Sequence, residues 1–151
     1  MPSIFTRKKV KIFTDGACLG NPGPGGWGAV LKCCGVEREI FGAEKNTTNN
    51  RMELMAVIMA LQELKYPCVA EVYSDSKYVC DAVSKGWVRT WQEKNWKKSN
   101  GEKALNIDLW KKLLELLSIH DVVFFWVKGH SGLPENERCD VLATTQAKKL
   151  R

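Results

Sequence analysis

The chain has 151 residues, of which 44% are hydrophobic and 26% are charged. These proportions are typical of globular proteins and the length suits one domain, which excludes disorder, fibrous repeats and two separately cored domains. No apolar run approaches the ~20 residues of a membrane span, and the first 11 residues lack the apolar stretch of a signal peptide. We therefore predict a single domain over residues 1–151, with no membrane association.

The six cysteines form no CxxC pair, and only two histidines are available to complete a zinc site. A disulfide framework or a zinc site is therefore not expected. Reduced thiols in a cytoplasmic protein are the better interpretation.

The net charge of +6 is concentrated in one segment. Residues 85–112 contain eight basic and three acidic side chains, whereas the other 123 residues contain 15 basic and 14 acidic ones. A local excess of positive charge indicates a docking surface for a polyanion.

The first part of the chain predicts three strands. Val10–Thr14 alternates as a strand does, and a glycine- and proline-rich loop is expected over Gly16–Gly26. Two further strands, Trp27–Cys33 and Val36–Phe41, are joined by a tight turn at Cys34-Gly35. Such short connections favour an antiparallel meander.

The second part of the chain alternates helices with strands. The predicted elements are a helix from the polar run at 46–50 to Pro67, a strand Val69–Ser74, a helix from Ser76 interrupted at Gly86, a helix around 107–117, a fully buried strand Val122–Val127, and a helix from about Glu135 to Lys149. The fold class is therefore α/β, with one mixed sheet and helices on both faces.

Residues Gly23–Gly28 match the GxGxxG pattern of dinucleotide-binding loops. Such a loop must open a helix that holds the pyrophosphate, whereas Trp27–Leu31 is strand-like. We therefore interpret this segment as a chain turn and expect no organic cofactor.

Four carboxylates lie at positions that a sheet edge could bring together: Asp15, Glu53, Asp75 and Asp140. Taken singly, each has an ordinary explanation as a turn former, a helix cap or a solvated helix face. Taken together, they would repel unless cations neutralised them, and Mg²⁺ prefers oxygen ligands. Two such ions can activate water and stabilise a leaving oxygen. An acidic metal site beside a basic surface is the charge arrangement that a nuclease requires.

The chain resembles type 1 ribonuclease H, in particular the bacterial cellular enzymes with a basic, tryptophan-rich insertion. The segments that carry the resemblance are Phe13–Gly16 with Asn21–Gly28, Asn49–Leu54, Tyr73–Val79, and Val127–Gly132 with Glu135–Asp140. The likeness runs in register from about Val10 to Ala147.

This resemblance implies a five-stranded sheet in the order 3-2-1-4-5, and cleavage of the RNA strand of RNA–DNA hybrids to leave 5′-phosphate and 3′-hydroxyl ends. It implies that Asp15, Glu53, Asp75 and Asp140 bind two Mg²⁺ ions, with Mn²⁺ as a possible substitute. It also gives His130 an auxiliary role in proton transfer or product release.

The resemblance places an insertion at about residues 85–104 on the DNA strand of the hybrid. The candidate contacts there are Trp87, Arg89, Trp91, Lys94, Trp96, Lys97 and Lys98. We expect some of these tryptophans to pack the insertion and at least one to face the DNA, and we assign Trp110 and Trp126 to the core.

The resemblance also assigns smaller sets of residues to particular parts of the hybrid. Asn21, Asn49 and Asn50 are expected in the minor groove, where the 2′-hydroxyl distinguishes RNA from DNA. Thr48 and Asn106 match a pocket for a DNA phosphate, and Lys77 adds a possible phosphate contact. Several relatives have Arg where this chain has Asn46, so that pocket is either weaker or uses Lys45.

Two other interpretations of the function stay open. One is another metal nuclease of the same fold, such as an integrase-like or exonuclease domain. The other is a non-catalytic domain that binds RNA–DNA hybrids. We expect a monomer in either case.

Overall fold

A computed structural model describes residues 7–129 and 133–151 of the chain, and in this part five strands form one sheet. The strands are β1 (Lys8–Cys18), β2 (Gly23–Cys33), β3 (Val36–Thr47), β4 (Cys68–Ser74) and β5 (Asp121–Trp126). Their order is β3-β2-β1-β4-β5; β1, β2 and β3 pair antiparallel, and β4 pairs parallel with both β1 and β5. The predicted mixed sheet is confirmed.

Helices cover both faces of this sheet. In the described residues they are α1 (Asn49–Gln62), α2 (Lys77–Ser84), α3 (Trp87–Glu93), α4 (Ile107–Ile119) and α5 (Pro134–Lys149). Helices α1 and α4 enclose the larger core, which includes the fully buried Ile12, Leu54 and Trp110. Helix α5 packs on β1, β2 and β3 from the other side, against Phe13 and Val30. The assignment of Trp110 to the core is confirmed.

The glycine-rich segment is strand and not loop, which corrects the predicted loop over Gly16–Gly26. Strand β1 continues to Cys18 and β2 begins at Gly23, so only four residues connect them. A Cβ atom on Gly26 would collide with the backbone of Ala143 and Ala147 in α5. The glycines therefore allow a helix to lie close against the sheet.

Strand β5 is not fully buried, and the prediction for it was wrong. It lies at the edge of the sheet, and α5 lies over β1, β2 and β3, so Val123 and Phe125 are 49% and 41% exposed. Trp126 was also wrongly assigned to the core, since it is 45% exposed. Its indole N–H donates to the Asp75 carbonyl at 3.0 Å, and the Lys77 ammonium lies 4.9 Å from its ring centre.

Replacing Gly26 with alanine should destabilise the protein by about 1–3 kcal/mol, because the new methyl group forces α5 away from β2. The free energy of unfolding in urea measures this effect. Val141→Ala is the matched control, because Val141 lies on the same helix and is 62% exposed. Equal unfolding midpoints for the two variants would contradict this account of the glycines.

Candidate active site

Three of the predicted carboxylates meet at one end of the sheet. Each of Asp15, Glu53 and Asp75 offers an oxygen, and these oxygens all lie within 4.8 Å of one another. Parallel strands β1 and β4 have their last paired residues at Phe13 and Tyr73. Asp15 and Asp75 each lie two residues beyond that pair, so the register of the sheet brings them to the same edge.

Glycine 16 allows helix α1 to bring Glu53 into this cluster. A Cβ atom at Gly16 would collide with the backbone of Met52 and Glu53. The N–H of Gly16 donates hydrogen bonds to the carboxylates of Asp15 and Glu53, which orients both side chains. Thr48 caps α1 by accepting from the Arg51 N–H at 3.3 Å.

Helix α5 places the fourth carboxylate, Asp140, on the same cavity of about 230 Å³ as the other three. Two hydrogen bonds fix the start of this helix against the sheet. The Asn136 amide donates to the Tyr73 carbonyl at 3.2 Å, and the Cys139 thiol donates to the Phe13 carbonyl at 3.2 Å. All four carboxylates therefore surround one cleft.

Burial and mutual repulsion change the acidity of this cluster. Burial, together with the charges of Asp75 and Asp140, raises the pKa of Asp15 to about 7, against hydrogen bonds with Glu53 and Gly16 that lower it. Burial also raises the pKa of Glu53 well above its ordinary value, and the charge of Asp15 acts in the same direction. A cation bound between them would reverse these shifts, because an opposite charge favours the ionised form.

The donor set suits a hard divalent cation. The clustered ligand atoms are all carboxylate oxygens, and they are held where water solvates them poorly. Burial and mutual repulsion disfavour the ionised cluster, and a bound cation would offset both. The cluster therefore can bind metal.

The predicted minor-groove residues lie next to this cleft. Asn49 lines the cavity, and its backbone N–H donates to the Asn21 side chain at 3.0 Å. Asn21, Asn49 and Asn50 are all exposed, so their remaining amide groups face solvent.

The predicted phosphate pocket contains a cation that the sequence analysis missed. The Arg51 guanidinium donates to the Asn106 side chain at 3.2 Å and to both oxygens of Asp108. Asn106, in a left-handed backbone conformation with φ 60°, donates to the Tyr78 hydroxyl at 3.1 Å. Lys45 and Asn46 are exposed. The sequence shows that Arg51 follows Thr48 by three residues at the start of α1. It does not show the ion pair of Arg51, because the partner Asp108 is 57 residues further along the chain.

The basic insertion carries a groove of about 350 Å³. Trp87, Trp91, Lys94, Lys97 and Lys98 line it with Thr90 and Ser99. Trp87 is 42% exposed, whereas Trp91 is half-buried with its edge against the Trp110 ring.

Two of the other predicted contacts in the insertion differ in burial. Arg89 is exposed. Trp96 lies in the core and is only 7% exposed, which corrects its prediction as a direct contact with nucleic acid. The chain turns sharply there, with φ 65° at Trp96 itself, and the Lys111 ammonium of α4 lies 5.9 Å from the centre of its ring.

Of the remaining predicted site residues, the structure describes Lys77 but not His130. The Lys77 side chain is exposed on α2, next to the Asp75 end of the cluster and over the Trp126 ring. His130 lies outside the described residues, so its predicted role stays a prediction.

Comparisons with known proteins agree with this geometry. The RNase H family matches residues 7–148. A ribonuclease H of Nitratidesulfovibrio vulgaris strain Miyazaki F is 59% identical over 143 residues, covering 95% of this chain and 92% of that protein. A ribonuclease H of Trichodesmium erythraeum is 54% identical over a match that covers 95% of this chain and 92% of that protein.

Solved structures show the same fold. LC9-RNase H1, described as a type 1 RNase H with the type 2 active-site motif, superposes with a TM-score of 0.85 at 31% identity, covering 96% of this chain and 74% of that chain. LC11-RNase H1, solved in complex with RNA/DNA hybrid, superposes with a TM-score of 0.67 at 25% sequence identity. The match covers 93% of this chain and 97% of that chain.

The four-carboxylate cleft on this sheet is thus found in a nuclease fold, and the chain belongs to the RNase H family. It resembles the type 1 enzymes of that family, as the sequence predicted. Among the described residues, none of the helices is long and apolar enough to cross a membrane.

Without metal, Asp15 should make the protein less stable as the pH rises. Its pKa is about 7 when folded and 3.8 ordinarily, so its favourable contribution is complete below about 4 and is lost as the pH rises through 7. The free energy of unfolding of the parent protein, relative to Asp15→Asn, should fall by a few kcal/mol over that range in the presence of chelator.

Urea unfolding at a series of pH values measures this difference. Asp121→Asn is the control, since Asp121 is an exposed carboxylate with a surface ion pair to Arg7. A pH-independent difference between the parent and Asp15→Asn would contradict the proposed burial of charge.

Proposed function

We propose that this protein is an endonuclease that hydrolyses the RNA strand of RNA–DNA hybrids and leaves 5′-phosphate and 3′-hydroxyl ends. The observation that carries the proposal is the meeting of Asp15, Glu53, Asp75 and Asp140 on one cleft. Membership of the RNase H family supports the same activity, as does the hybrid bound by LC11-RNase H1.

The same four carboxylates would hold two Mg²⁺ ions, or Mn²⁺ in their place. When bound, the ions supply an activated water and charge stabilisation at the scissile phosphate. The Gly16 N–H keeps the Asp15 and Glu53 oxygens turned into the cleft. Asn136 and Cys139 hold α5 so that Asp140 faces the same cavity. The carboxylates are therefore positioned before substrate arrives.

The substrate is held by charge and by stacking surfaces away from the cleft. Lys94, Lys97 and Lys98 would neutralise phosphates of the DNA strand, and Trp87 offers an exposed aromatic face in the same groove. Arg89 would extend this contact, and Lys77 would add positive charge beside Asp75.

Two further sets of side chains would read the hybrid. Asn49 lines the cleft and its backbone N–H donates to the Asn21 side chain, which supports a role for Asn21, Asn49 and Asn50 in contacting the minor groove and the 2′-hydroxyl. Thr48 and Asn106 would grip a DNA phosphate. Arg51 donates to the Asn106 side chain while paired with Asp108, so it would position Asn106 without adding net charge to that pocket.

His130 is proposed to move protons or to assist product release, because its ordinary pKa is close to neutrality. We also propose that the protein acts as a monomer in the cytoplasm. One chain carries all four carboxylates, and all six cysteines are free thiols.

The two alternative functions fit the structure less well. A hybrid-binding domain without catalysis has no use for four carboxylates that repel one another in one cleft. An integrase-like or exonuclease domain of the same fold does not call for a tryptophan–lysine groove on a basic insertion.

Replacing Asp75 with asparagine should lower hydrolysis of the hybrid by at least about a hundredfold, because one ligand oxygen and one negative charge are lost. The measurement uses hybrids labelled on either strand, with Mg²⁺ and with chelator. Asp81→Asn is the control, since Asp81 lies on α2 and pairs with Lys85 just after the end of that helix. Cleavage of the DNA strand, or activity with chelator present, would overturn the proposed mechanism.

The triple change Lys94→Ala, Lys97→Ala and Lys98→Ala should weaken hybrid binding and lower the slope of log affinity against log salt by about 2–3. Fluorescence anisotropy with a labelled hybrid at several salt concentrations measures this slope. The control replaces Lys65, Lys148 and Lys149, which are exposed and lie outside the groove. An equal loss of slope in both triple variants would show that the groove has no special part in binding.

A further inference from the structure

Two adjacent cysteines meet at the turn between β2 and β3. The Sγ atoms of Cys33 and Cys34 lie 3.1 Å apart. Successive side chains of a regular strand point to opposite faces, which would separate two neighbouring thiols. Here Cys34 and Gly35 both have left-handed backbone conformations, with φ 56° and 78°, and the chain reverses at this point. The turn therefore holds the two sulfurs together.

The two thiols differ in their access to solvent. Cys34 is exposed, whereas Cys33 is half-buried at the end of β2. The hydrogen bond with Cys34 and, secondly, burial raise the pKa of the Cys33 thiol. Cys34 is thus placed to meet a reagent first, and Cys33 stays protonated beside it.

Three lysines line the cleft that contains the two thiols. Cys33 and Cys34 line an open cleft of about 610 Å³ together with Lys9, Lys11 and Lys32. Lys11 and Lys32 are cross-strand partners, so their ammonium groups project from the same face of the sheet. Two of these lysines are ion-paired: Lys9 with Glu71, and Lys32 with both Glu135 and Glu37, the acidic residue of the lining. Among the described residues, Lys11 has no ion-pair partner, and its ammonium in the same lining as the thiols favours an anionic molecule there.

We propose that Cys33 and Cys34 form a reversible dithiol–disulfide site that exchanges with small anionic disulfides of the glutathione type. The Cys34 thiolate attacks the disulfide, forms a mixed disulfide and releases one small thiolate. Cys33 then loses its proton to that thiolate. Its sulfur attacks the Cys34 sulfur of the mixed disulfide and displaces the second small thiolate. The two cysteines are oxidised by two electrons, and the small disulfide is reduced to two thiols.

The second step is intramolecular and needs the sulfurs to approach by about 1 Å. Because neighbouring Cα atoms lie only about 3.8 Å apart, less than in most disulfides, the bond is strained and easily reduced, which suits a reversible site. The site is separate from the carboxylate cleft. Asp15 pairs with Gly28, and Cys33 lies five residues further along β2, which corresponds to roughly 17 Å. Hydrolysis of the hybrid should therefore be unchanged after oxidation.

The test incubates the whole reduced protein with glutathione disulfide, blocks the remaining thiols with N-ethylmaleimide and digests with trypsin. Cleavage after Lys32 and Arg38 releases both cysteines in one peptide. We expect this peptide to be two hydrogen atoms lighter and unalkylated, and to return to the alkylated form after treatment with dithiothreitol. A glutathione adduct that persists on Cys34, a bridge from Cys34 to Cys68, or an unreacted pair would overturn the proposal.

Single variants separate the two steps. Cys33→Ser should lose the lighter peptide and accumulate a stable mixed disulfide on Cys34, whereas Cys34→Ser should lose both products. Cys18→Ser is the matched control and should behave as the parent does. Phenylarsine oxide, which bridges two close thiols with loss of water, should be captured by the parent and by Cys18→Ser but by neither of the other variants. Capture by all four proteins would contradict the assignment.

Discussion

Negative charges that lie close together in a poorly hydrated cleft oppose folding. The structure of this protein is arranged around such a cluster of carboxylates. The parallel register of β1 and β4 sets Asp15 beside Asp75, and the missing side chain of Gly16 admits Glu53. The cost is visible in the raised pKa of Asp15. Such an arrangement persists when function requires it, because a bound cation converts the repulsion into attraction.

The rest of the molecule complements this acidic cleft. Its excess positive charge is collected on the insertion, where lysines and an exposed tryptophan share one groove. Acidic and basic regions on one small domain suit a polyanionic substrate that must be cut at a metal site. Arg51 donates to Asn106 and pairs with Asp108, which holds Asn106 at the start of α4.

Much of this arrangement could be predicted from the sequence. The four carboxylates and the mixed sheet follow from recognisable segments at the ends of strands and the starts of helices. The errors came from features that depend on tertiary packing. The glycines of β2 looked like a loop because their partner helix lies more than a hundred residues away. Strand β5 and Trp126 looked buried because an apolar run does not show which strand ends at a sheet edge.

The central claim is that the carboxylates bind divalent cations as one cluster. Calorimetric titration of Mn²⁺ into the metal-free protein at pH 7, repeated in buffers of different ionisation enthalpy, tests it most directly. Binding should release protons, because Asp15 and Glu53 must ionise to hold the metal, and Asp15→Asn should release fewer. Failure to bind, or binding with the same proton release in both proteins, would contradict the account.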